Sequence, residues 1–244
     1  MRATEKAVAI MILSLSAWAI IMWAATSFQG HESDRILRVE LGSDAASLNQ
    51  AVHGNDDNDR DGIARNIQMV LRYTYLDFVF ILLYWLTFLG LALLAGRLGK
   101  RFLAACAALA ISIAALGDLF ENGAILTAMR VRPFTDAVAV DISEFTQWKW
   151  SFFFLASFLL GLAIAMNHHV STMRRASGGV FIAAGAFGLL GIARYRVSFE
   201  FTIQMIKIGI VLVAAALLLT LWKIYLSLKQ LNHIAHVEHL HSHP

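Results

Sequence analysis

Six stretches of the chain are long and apolar enough to cross a bilayer, and no other property restricts the fold as strongly: residues 7–27, 73–95, 102–129, 148–166, 178–193 and 201–226. A hydrocarbon core about 30 Å thick needs roughly 20 helical residues and as few as about 17. Composition agrees. Of 244 residues, 58% are hydrophobic and 15% charged, against about 45–50% and about 25% in soluble domains. The 2 prolines leave long helices uninterrupted, and the single cysteine, Cys106, excludes a disulfide framework and a Cys-based zinc site. The fifth stretch, GGVFIAAGAFGLLGIA, is short and Gly-rich, and reads as a steep helix, a re-entrant segment, or one packed tightly by small residues.

The expected fold is an all-α polytopic integral membrane protein of six transmembrane helices with both termini cytoplasmic. Lys and Arg set the orientation. Arg2 and Lys6, then Arg97, Lys100 and Arg101, then Arg174 and Arg175, then Lys223 and Lys229 all fall on one side, while Arg130, Arg132, Arg194 and Arg196 fall on the other. The first apolar run, about 20 residues, exceeds the 7–15 of a signal peptide and reads as an uncleaved helix. The chain then divides into a first transmembrane helix (1–27), an external acidic loop (28–72), a five-helix membrane bundle (73–226) and a cytoplasmic His-rich tail (227–244). Within the loop, RILRVELGSDAASLNQAV reads as a short amphipathic helix with Ile36, Leu37, Leu41 and Leu48 on its apolar face. The third span carries many alanines and Gly117, which places it centrally. No internal repeat is visible. The net charge of +3 is scattered beside the apolar runs, which fits topology and speaks against a nucleic-acid partner.

Ionisable residues inside the apolar spans mark the first candidate site. Asp118, Glu121 and Asn122 stand at i, i+3 and i+4, one helical face of the third span. Asp118 lies about 24 Å along the helix from Phe102, and Asp77, Lys149 and Lys207 reach a similar depth on the second, fourth and sixth spans. A lone charge there costs at least about 2.5–3.5 kcal/mol, so the acids should pair with the two lysines. Functional and structural readings compete: an exchange site for protons or cations, or ion pairs fixing helix register. Lys149, between Trp148 and Trp150, also reads as an interfacial lysine snorkelling to water.

YLDFVFILLY in the second span, GDLFENGAIL in the third and KWSFFFLASFLLGL in the fourth resemble a family of small bacterial multi-pass membrane proteins with an Asp-x-x-Phe-Ile-x-x-Tyr helix, an Asp-x-x-Glu-Asn helix and a following Lys helix. The resemblance covers residues 73–162. It implies a bacterial cytoplasmic (inner) membrane location and selects Asp77, Tyr84, Asp118, Glu121, Asn122 and Lys149. The long acidic loop and the last two spans depart from that family's four-helix pattern. No established activity comes with it.

Two further candidates lie outside the spans. Asp57, Asp59, Asp61 and Gly62 reproduce Asp-x-Asp-x-Asp-Gly of a calcium loop, but Gln68 stands where the bidentate Glu belongs. The readings are a weak external calcium site, which would make calcium the one cofactor, and a solvated acidic turn. The same segment lacks the spacing of a CDP-alcohol phosphotransferase motif. In the tail, His233, His236 and His239 have helical spacing for a transition metal, or form a soluble helical extension.

The leading functional expectation is a protein that binds or conducts an ion, proton or small polar solute. The alternative is a non-catalytic subunit or assembly factor of a larger membrane complex, with the bilayer, other membrane subunits or a second copy as partners. Third is a membrane-embedded enzyme using Asp118 and Glu121 as acid and base on a lipid-like substrate. Standard hydrolase and NTPase motifs are missing, so the balance lies against an enzyme.

Overall fold

The computed structural model describes residues 12–13, 15–17, 31–53, 60–97, 99–130, 134–166, 172–195 and 197–241 and, among these, every side chain outside 31–35, 53, 60 and 231–241. The described residues form helices α1 (His31–Leu41), α2 (Ala45–His53), α3 (Arg60–Arg97), α4 (Arg101–Arg130), α5 (Asp136–Ala165), α6 (Thr172–Ala193) and α7 (Phe199–His241), with a helical piece at 12–13 and 15–17 and no strand. Five of them, α3 to α7, are long and apolar enough to cross a membrane. Their outward faces carry Leu93, Phe102, Leu109, Phe187 and Leu218, all exposed, as lipid requires and water does not. In lipid the backbone must satisfy its own hydrogen bonds, and uninterrupted helices do so.

Successive helices pack side by side, α3 on α4, α4 on α5, α5 on α6 and α6 on α7. Among the described residues the third span, α4, is not the central one: it is α5 that also touches α1, α2, α3 and α7. Alanines do bring α4 close to its neighbours, but α5 is apolar around most of its circumference and buries residues on several faces, Ala139, Ile142, Phe154, Leu160 and Ala163 among them.

Small residues set how near α6 comes. A Cβ on Gly188 would lie 2.1 Å from the Phe154 ring, and one on Gly178 3.0 Å from the Gly161 carbonyl oxygen. The Gly-rich fifth stretch is therefore a full 22-residue helix whose glycines make room for Phe154 and the α5 backbone. Of the first expected span, Ile12 is fully buried, and a Cβ on Gly90 of α3 would stand 2.7 Å from it. Most of that span lies outside the described residues.

The described residues 31–53 and 60–72 form a cap. Its single expected amphipathic helix is instead two, because Gly42 ends α1 and Asp44 starts α2 by accepting the Ser47 N–H at 2.7 Å. Val39, Leu48 and Val52 form a core with Ile63, Ile67 and Val70 of α3, Ile125 and Met129 of α4, and Ile142 of α5. Leu41 enters a second core with Phe154, Ile203 and Ile206, joining the end of α1 to α5 and α7. The helix α3 thus begins well before its apolar part, and its first turns belong to the cap.

Candidate functional site

Lys149 is the centre of the site. Gly117 lets α4 approach α5 at this level, since a Cβ there would lie 3.2 Å from the Lys149 backbone nitrogen. The side chain is buried, not snorkelling, and its ammonium stands within ion-pair distance of three carboxyls. Nζ lies 3.1 Å from Asp118 Oδ1, 3.3 Å from Glu40 Oε2, and in direct contact with Glu121 Oε2. It also stands 5.1 Å from the centre of the Trp150 ring, within cation–π range. Trp148, by contrast, faces outward.

The remaining polar atoms form a shell around this ammonium. The Tyr84 hydroxyl donates to Asp118 Oδ2 at 3.0 Å, and Asn122 Nδ2 donates to Asp77 Oδ2 at 2.9 Å. Thr146 faces Glu121 Oε1, the Glu40 carbonyl oxygen at 2.8 Å and the Ile142 carbonyl oxygen at 2.9 Å. Asp118, Glu121 and Asn122 are 3%, 0% and 3% exposed. Burial without pairing would be prohibitive for such groups, and the pairing here is dense. Phe153 and Phe80 pack against the Tyr84 ring and hold its hydroxyl toward Asp118.

Asp77, Tyr84, Asp118, Glu121, Asn122 and Lys149, all selected from the sequence, therefore converge on one site drawn from α3, α4 and α5. Lys207 is half-buried on α7 with an interaction of its own, and Lys149 supplies the ammonium that the three carboxyls share. The residues that sequence reasoning passed over are Glu40 and Thr146. Glu40 was legible only as an acid between Val39 and Leu41, inside the apolar face of a loop helix. Desolvation by burial pushes its carboxyl above the ordinary range, Lys149 pulls it the other way, and Asp118 adds to the rise.

Of the calcium triplet, Asp57 and Asp59 lie outside the described residues, and Asp61 is exposed in the first turn of α3. The backbone of α7 runs through His233, His236 and His239, whose side chains lie outside the described residues. Among the described residues no group of three or more His, Cys, Asp or Glu side chains is arranged to hold a metal ion. In the buried cluster the Lys149 ammonium occupies the position between carboxyls where a cation would sit.

No family model matches the chain, and no characterised protein or solved structure is similar enough to count as a match.

Proposed function

We propose that this multi-pass membrane protein binds and exchanges protons at the buried cluster around Lys149. One observation carries the reading: four carboxyls, Glu40, Asp77, Asp118 and Glu121, are gathered about one ammonium. Fully ionised, such a cluster would hold a large uncompensated negative charge in a low-dielectric interior, which is far more costly than holding protons. The hydrogen-bond count points the same way. Thr146 has one hydroxyl hydrogen and faces three oxygens, so a proton on the Glu121 carboxyl, donated to Thr146, satisfies a contact that the threonine alone cannot.

The proton-exchange reading makes Asp118 the hub, because its two oxygens meet Lys149 and Tyr84 and link the α3 and α5 sides of the site. The test is proton flux in proteoliposomes under a pH gradient or membrane potential. The wild type should pass protons, and Asp118→Asn, which keeps the shape and removes the titratable group, should not. Equal flux in both would end the Asp118 mechanism.

A second reading, a structural or assembly role within a larger membrane complex, draws on a different observation. Lys149 and Thr146 both hold Glu40, so the cluster also fastens the cap to the bundle. A wild type that passes no proton under any gradient would favour it. The enzyme reading is the least supported, since Asp118 and Glu121 are buried and both engage Lys149 instead of facing lipid. A bacterial inner-membrane location, six spans and cytoplasmic termini complete the proposal, on the Lys and Arg distribution and the motif resemblance given above.

A further inference from the structure

We infer that the cap helix α1 is a lid over the Lys149 cluster, docked through Glu40 carrying its proton and released when that proton leaves. The inference rests on reading the cluster as a proton-holding site. Its geometric basis is that, among the described side chains of α1, one ionisable group reaches the site. Glu40 comes from outside the candidate membrane spans, while its cluster partners all belong to α3, α4 and α5.

The charges it meets explain the coupling. On α4 it faces Asp118 and Glu121, on α3 Asp77 acts on it from farther off, and on α5 the single favourable charge is Lys149. With the lid away, two carboxyls already share the ammonium, so a third that enters ionised gives up its water for an ammonium it must share and meets Asp118 as well. Entering protonated, it gives up far less. The other contacts of α1 do not compete for this role. Arg38 pairs with Glu200 of α7 at 2.7 Å, but both side chains are about half exposed or more, so that link is weak and screened. Asp44, next along the chain, is exposed and occupied with capping α2. Among the described side chains of α1 the remaining contacts are apolar packing, Leu37 and Leu41 against α5 and α7 and Val39 in the cap core, beside the hydrogen bond from the Tyr195 hydroxyl to the Leu41 carbonyl oxygen.

The sign follows from linkage. Docking raises the Glu40 carboxyl above its ordinary value, because burial outweighs the pull of Lys149. The docked state therefore binds the proton more tightly, and docking is strongest at or below the ordinary carboxylate value. It weakens as pH rises through the raised value, by up to about tenfold per pH unit for one proton.

The experiment uses the full chain in lipid nanodiscs, with Cys106→Ser as background and spin labels on Ser43→Cys beside α1 and Val197→Cys beside α7, both exposed positions. Distances measured by electron double resonance from about pH 4.5 upward should show one narrow population that gives way to a longer, broader one. Glu40→Gln should stay docked throughout, and Arg38→Gln should loosen the lid at every pH without removing the pH response. A wild-type distribution independent of pH, opening on acidification, or a Glu40→Gln variant that follows the wild-type curve would each overturn the lid. The wild-type series decides the matter even if a variant fails to fold. A lid that opens with pH in a protein that passes no protons would keep this inference and remove the flux reading.

Discussion

Glu40 Oε2 on the cap helix lies 3.3 Å from the Lys149 ammonium on the central helix, and the Glu40 carbonyl accepts the hydroxyl of Thr146, about one turn earlier on that same helix. A loop residue is thereby tied by side chain and backbone to the α5 stretch that carries the buried Lys149. The site is consequently not a property of the membrane helices alone.

Removing the ammonium should be the most damaging single change. Lys149→Met keeps the apolar stem and leaves Asp118 and Glu121 buried without their partner, a loss of about 3–5 kcal/mol for a broken buried pair. Thermal unfolding in detergent should show it as a large drop in midpoint. A midpoint within a few degrees of wild type would mean that the cluster is wetter than its burial indicates.

Tyr84→Phe removes one donor from Asp118 and changes little else. Loss of a hydrogen bond to a charged group costs about 1.5–3 kcal/mol, so denaturant unfolding should register an intermediate effect, smaller than that of Lys149→Met. An unchanged stability would show that water replaces the phenol.

Two glycine variants should part in opposite directions. Gly188→Ala drives a methyl to 2.1 Å from the Phe154 ring, whereas a Cβ on Gly123 meets nothing within 4 Å. Overpacking of this kind costs about 1–3 kcal/mol, while Gly→Ala in an open helical position gains up to about 1 kcal/mol. Comparing the two variants in one unfolding assay checks the α5–α6 packing directly. Equal behaviour would contradict it.

Much of this was readable in the chain. The i, i+3, i+4 spacing of Asp118, Glu121 and Asn122 within an apolar run implies one polar face, and the cost of charge in lipid implies partners for it. Which lysine would answer was not readable, since depth along a helix says nothing about rotation around it. Lys149 and Lys207 reach similar levels, and only the packing of α4 on α5 through Gly117 selects Lys149. Glu40 was hidden for another reason. Its neighbours Val39 and Leu41 mark a buried face, but a charged residue in a loop helix is usually solvated, and nothing local signals that the helix folds back onto the bundle. Helix α5 took the central place expected for α4 because alanine content reports close approach to a neighbour and not the number of neighbours.

The cap should respond to acid in the way its caps and charges dictate. The Ser47 backbone N–H, bonded to Asp44, holds that carboxyl below the ordinary range. Its contribution to α2 is present above the unfolded value and fades as pH falls through the lowered one. Asp44→Ala should cost about 0.5–2 kcal/mol of helix stability, nearer the lower figure for so exposed a cap. Hydrogen exchange across residues 45–53 at neutral pH would report it as faster exchange. Protection equal to wild type would remove the cap.

The central claim is that the Lys149 cluster holds protons above the ordinary carboxylate range, and infrared spectroscopy of the full chain in lipid tests it most directly. Protonated carboxyls absorb apart from carboxylates and shift on deuteration. The account predicts that, as pH rises from about 4.5, a protonated-carboxyl band persists above the ordinary carboxylate range, loses intensity in Glu40→Gln and changes again in Asp118→Asn. A wild-type spectrum in which every carboxyl ionises within the ordinary range, or a persisting band untouched by both substitutions, would contradict it.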